Sequence, residues 1–152
     1  MSSNVRLTTP YTGDTPIIRL AVQGPGEKRV VIAGVVDSGA DATLLPHSIA
    51  TSCGVPEEDL TPTDEGSEGA GGAWFPTWTL DYPLKAQVVG VFPEPRGIEL
   101  WGPTFDLQPE FAKDTIAMFG RADFFATFAI TFDQVSASAP VFHLDATMPR
   151  VR

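Results

Sequence analysis

The apolar residues of this chain come in short runs, each closed off by proline or glycine, and that pattern rules out a fold built on long helices. Fourteen prolines and 14 glycines are spread through the 152 residues. Proline withholds a backbone donor and glycine favours turn dihedrals, so the segments between them are of strand length. Pro16 to Val22 (PIIRLAV) and Arg29 to Val36 (RVVIAGVV) flank the turn residues Gln23-Gly24-Pro25-Gly26 and read as a pair of joined strands. From Trp74 to Phe92, aromatic and branched residues interrupted by Pro76 and Pro83 read as edge strands. Ala129 to Phe132 and Val141 to Leu144 add two more. Residues 93 to 115 read as irregular, with a helical turn near Gln108 to Lys113. One short helix is expected after Pro46, with Ile49, Ala50 and Cys53 on one face and Gly54 at its end, and a second from Ala122 to Phe128. The expected class is all-β with one or two short helices, in a single domain spanning residues 1–152.

Charge and composition narrow the partners. A formal net charge of -9 disfavours nucleic acid and anionic membrane surfaces, which carry the same sign. No apolar run approaches the ~20 residues needed to span a bilayer. The opening MSSNVRLTTP lacks the basic and apolar regions of a secretory signal, so a cytoplasmic location is expected. Cys53 is the only cysteine, which excludes an intrachain disulfide and reads as a packed core residue rather than a nucleophile. His47 and His143 are isolated, with no metal-ligand spacing, and no cofactor or metal is expected.

The feature that carries chemistry is Asp37-Ser38-Gly39, placed where the apolar strand Arg29 to Val36 ends. Its plain reading is a turn in which Asp and Ser bond their own backbone and Gly supplies the dihedrals. A phosphatase of the aspartyl-nucleophile type would want a second acid at position 39, and a calcium loop would need more oxygen ligands than Asp37 and Asp41. No G-x-S-x-G elbow occurs.

Three separated segments agree on one further reading. VVDSGADATLLP resembles the active-site strand and loop of the retropepsin-like aspartic proteases, with Asp41 and Thr43 continuing the likeness. Gly69-Ala70-Gly71-Gly72-Ala73-Trp74 is similar to that family's glycine-rich flap tip. Ile116 to Phe125, IAMFGRADFF, is similar to the hydrophobic-hydrophobic-Gly-Arg segment before its C-terminal helix. The likeness covers roughly Thr15 to Phe132. Ser38 stands where threonine is commoner, and Asp123 falls one residue later than the acid or amide often found after Gly-Arg, so it is assigned no role.

The resemblance implies a closed, barrel-like acid-protease half-domain that works as a homodimer on an extended peptide. In such a site two carboxylates held together share one proton, one activating a water and the other protonating the peptide carbonyl. Asp-Ser-Gly occurs once here, so the second aspartate would come from a second copy across a two-fold axis. By the same resemblance Asp37, Ser38 and Gly39 are the catalytic turn, and Ala40, Asp41, Gly69, Ala70, Gly71 and Gly72 meet substrate. Thr43, Gly120 and Arg121 support the site, Arg121 by pairing with Asp41. The segment from 92 to 115 would be an insertion covering the groove or adding to the dimer contact, and the terminal segments would interleave with the partner's. Two other readings stay open: a dimeric peptide-binding module without turnover, and a monomeric β-rich domain.

Overall fold

The computed structural model describes residues 2–63, 67–68, 74–135 and 139–149. The strands are β1 (Ser2–Pro10), β2 (Ile17–Gln23), β3 (Arg29–Val36), β4 (Leu44–Pro46), β5 (Thr61–Pro62), β6 (Ser67–Glu68), β7 (Trp74–Phe75), β8 (Trp78–Thr79), β9 (Leu84–Phe92), β10 (Gly97–Leu107), β11 (Glu110–Ala112), β12 (Ala117–Phe119), β13 (Ala129–Asp133) and β14 (Val141–Pro149). Two short helices, α1 (His47–Ser52) and α2 (Phe124–Thr127), complete the regular structure with a 3-10 turn at Glu57–Asp59. The class is mostly β, as the broken apolar runs require.

The β2–β3 hairpin forms where expected, with Ile17 opposite Val35 and Gln23 opposite Arg29. Its alternation is broken at Ala21, which is buried on the same face as Arg19. Ile18, Leu20 and Val22 are buried on one face while Arg19 is exposed on the other. β2 and β9 pair next, then β9 and β10, and the sheet continues from β3 through β12, β4, β11 and β8 to β5. Because β10 and β5 end this nine-stranded order without pairing to each other, the sheet is not closed into a barrel among the described residues. Phenylalanines fill the core beneath it: Phe111, Phe119 and Phe124 are fully buried, and the rings of Phe124 and Phe128 lie 5.0 Å apart.

Residues 93 to 115 are ordered differently from the expectation. Most of them form β10, an eleven-residue strand antiparallel to β9, and Glu110–Ala112 is the strand β11 rather than a helical turn. Pro103 masked the strand. It sits where the register shifts between Trp101 and Phe105, an irregularity at which a missing backbone donor is tolerated. Phe111 and Ala112 are completely buried, and their packing and pairing beside β4 override a weak local preference.

The terminal segments pair with each other within the chain. β1 and β14 do so over their whole length, from Ser2 opposite Pro149 to Pro10 opposite Val141. β13 takes the other edge of β14. Among the described residues β14 is paired on both edges, and β1 and β13 are the outer strands of this sheet.

Candidate active site

The Asp37 turn is built at a crossing of three strands. β3 delivers the chain to Asp37, and β4 resumes at Leu44. β12 lies between those two strands, parallel to β3 with Phe119 opposite Val36, and antiparallel to β4 with Met118 opposite Leu44. Residues 37 to 43 therefore loop over the end of β12. The Asp37 N–H donates to the Phe119 carbonyl at 3.0 Å, which pins the turn to the strand beneath it.

Within the turn the Asp37 carboxylate accepts the Gly39 N–H through Oδ1 at 2.8 Å, and the Ala40 N–H reaches the Asp37 carbonyl at 3.2 Å. No other hydrogen bond to this carboxylate occurs among the described residues. Gly39 keeps the carboxylate uncrowded, since a Cβ there would stand 3.1 Å from Oδ1. Ser38 is exposed at the tip. The plain turn-capping geometry is thus real, and it leaves the other carboxylate oxygen without a hydrogen bond among the described residues.

The loop is clamped from the side by Gly120, Arg121 and Ala122. The Arg121 N–H donates to the Ala40 carbonyl at 2.9 Å and the Ala122 N–H to the Asp41 carbonyl at 3.0 Å. Such close backbone approach needs a residue without a side chain at 120. A Cβ on Gly120 would lie 2.6 Å from both the carbonyl carbon and oxygen of Ala42 and 2.8 Å from the Ala40 oxygen. All three atoms are backbone and have little freedom to yield. Gly120→Ala is expected to cost roughly 2 kcal/mol or more, as overpacking does; an unchanged thermal melt would contradict this.

The expected pairing of Arg121 with Asp41 is present, but it is exposed, at 58% and 87% for the two side chains. Exposed ion pairs contribute about 0–1 kcal/mol. Arg121→Ala should therefore shift stability by less than ~1 kcal/mol in urea denaturation, the backbone bonds rather than the ion pair holding the loop.

What holds the loop from below is a buried network centred on Asp123, the residue to which no role was assigned above. Thr43, fully buried, donates its hydroxyl to Asp123 Oδ1 at 2.5 Å, and accepts the Gly120 N–H at 3.2 Å. Asp123, 6% exposed, also accepts the Phe124 N–H through Oδ1 at 2.7 Å and the Gln108 N–H through Oδ2 at 3.1 Å. One carboxylate so ties the Asp37 loop, the start of α2 and the end of β10 together. Its sequence signal was available: an acid directly before the apolar helix FFAT is an N-cap pattern.

The other candidates are placed as follows. β6 and β7 pair antiparallel, Ser67 opposite Phe75 and Glu68 opposite Trp74; Gly69, Ala70, Gly71 and Gly72, which join them, lie outside the described residues. Below this hairpin the chain is anchored by Thr63, whose N–H reaches the Thr77 carbonyl at 2.9 Å. Tyr82 donates to Asp59 at 2.6 Å, and burial, aided by that carboxylate, pushes its phenol up to about 12. Cys53 is completely buried, and burial pushes its thiol up, away from nucleophile chemistry. Among the described residues no three His, Cys, Asp or Glu side chains converge as metal ligands.

No protein-family model and no curated protein matches the sequence. The structure does have a solved counterpart, the crystal structure of a retropepsin-like aspartic protease from Rickettsia conorii, with a TM-score of 0.57 over 97% of this chain and 97% of that one. The fold is that of the retropepsin-like aspartic proteases. At 15% identity the likeness speaks for the retropepsin-like architecture, and the chemistry has to be argued from the residues. No helix among the described residues is long and apolar enough to cross a membrane.

Proposed function

We propose that this chain is one half of a homodimeric aspartic endopeptidase, in which two Asp37 carboxylates, one from each subunit, activate a water against a peptide bond. The observation that supports it most is the setting of Asp37. In a retropepsin-like fold its carboxylate is oriented by Gly39 at the tip of a loop clamped by Gly120 and the Thr43–Asp123 network, with one oxygen uncommitted. A lone turn-capping aspartate would not need such a rigid mount.

The chemistry follows from two carboxylates in contact. They share one proton; the ionised one takes a proton from the water while the protonated one gives its own to the carbonyl oxygen. The pair acts as a unit, so neither subunit has a fixed role. Ser38 would link the two loops across the axis, and Ala40 and Asp41 would meet the backbone of an extended peptide. Gly69, Ala70, Gly71 and Gly72 would close over it and exclude water.

The direct test is a cleavage profile of the purified protein on a peptide library from mildly acidic to neutral pH. Cleavage favoured on the acidic side is expected. Peptides retained but never cut, at any pH, would replace the proposal with the non-catalytic peptide-binding module.

A further inference from the structure

The sheet of β3, β2, β9 and β10 is fully covered on one face; on the other, Ala21 and Val89 are buried but much of the surface around them is exposed. Its inner face carries Leu20, Val22, Ala86 and Val88, all buried in the core. On the outer face the cross-strand row runs Ala33, Arg19, Val89, Leu100, and beside it Val91 stands opposite Ile98. This face is apolar yet exposed: Val31 is 54% exposed, Val91 61%, Ile98 70% and Leu100 44%. Isolated exposed valines need no explanation, but Val91, Ile98 and Leu100 adjoin one another across β9 and β10 and form a contiguous patch, with Val31 of β3 on the far side of Arg19 and Ala21.

Charge on the same face is opposite to that of the whole protein. Arg19, Arg29 and Lys85 project from it, and Asp106 is the acid that pairs with Lys85. Arg29 reaches only the neutral Gln23, at 3.3 Å, and Arg19 has no ion pair among the described residues. Arg19 is flanked across the strands by Ala33 and Val89 and lines a groove of about 240 Å³ closed at one side by Thr8, Thr9 and Thr12. A cation left unpaired among apolar neighbours, on a chain of net charge -9, is the complement of an apolar segment carrying carboxylates.

From this we infer that the outer face of the β3–β2–β9–β10 sheet is a docking surface for an acidic amphipathic helix of a partner protein. Strand addition does not cover this face: β2 and β9 are paired on both edges, and a strand added at the outer edge of β10 would widen the sheet rather than lie on its face. A sheet face is covered by side-chain packing, and a helix ~10 Å across fits four strands spaced ~4.8 Å apart. A second copy of this chain is the poorer occupant. Two-fold self-pairing would bring a second set of Arg19, Arg29 and Lys85 onto a face that already carries the same cations. The surface is separate from the Asp37 turn, so the inference does not depend on peptidase activity.

The test uses two labelled synthetic helical peptides with the same leucine stripe, one otherwise rich in glutamate and one rich in lysine, and fluorescence anisotropy against the full chain. The glutamate peptide should bind at least tenfold more tightly than the lysine one, with amide shifts at Arg19, Val31, Val89 and Leu100. The triple change Arg19→Glu, Arg29→Glu and Lys85→Glu should reverse the preference, while Ile98→Ser should weaken both its binding and the shifts. Equal binding of the two peptides, no binding, or shifts confined to Asp37–Asp41 would overturn the inference. So would an Ile98→Glu variant whose sedimentation shows that an assembly of copies has come apart, which would make the face a self-interface.

Discussion

Asp37→Asn is expected to lower kcat for peptide hydrolysis by roughly 10³-fold or more, the scale of removing acid–base catalysis, while the protein keeps its fold and its assembly. The amide has the same shape, and its oxygen can still accept the Gly39 N–H that orients the side chain. What it cannot do is hold or release the shared proton. In a homodimer the change strikes both carboxylates at once, so no wild-type group remains to act as base. Kinetics on a cleaved peptide, with circular dichroism and sedimentation on the same sample, would check the claim. Activity within tenfold of wild type would place the chemistry elsewhere.

The largest expected effect on stability is at Asp123. Asp123→Ala removes the acceptor for the Thr43 hydroxyl and for the Gln108 N–H, and with the Phe124 N–H bond it deletes the cap of α2. Buried donors left unpaired cost about 1–3 kcal/mol each, and the lost cap about 1 more, with partial relief from water; a net loss of roughly 3–5 kcal/mol is expected. Asp123→Asn should cost less, about 1–3 kcal/mol, because its oxygen still accepts while its NH₂ must face a donor. Urea denaturation at fixed protein concentration separates these outcomes. A loss under ~1 kcal/mol for the alanine variant would mean that the network does not hold the loop.

Much of the fold was legible because local chemistry and tertiary packing agree. The β2–β3 hairpin has a buried face at Ile18, Leu20 and Val22, and α1 has proline at its start and glycine past its end, Gly54 with a φ of 81°. The Arg121–Asp41 contact was also anticipated, although its exposure transfers the clamping to backbone bonds. What was not legible depends on partners distant in sequence. β1 has little apolar content of its own and exists because β14, more than a hundred residues later, pairs with it. Pro103 concealed β10 because a register shift cannot be read from one strand alone. Asp123 looked misplaced by one residue when counted along the chain; in space its carboxylate reaches Thr43 directly.

The central claim is that each active site needs Asp37 from two copies of the chain, and subunit mixing tests it most directly. Wild-type and Asp37→Asn chains are combined in varying proportion, allowed to exchange by unfolding and refolding together, and assayed for peptide cleavage. If the site is shared, activity per total protein falls as the square of the wild-type fraction, to about one quarter at equal mixing, since only pairs of wild-type chains carry both carboxylates. A linear fall, to about one half at equal mixing, would show that each chain works alone and would contradict the account.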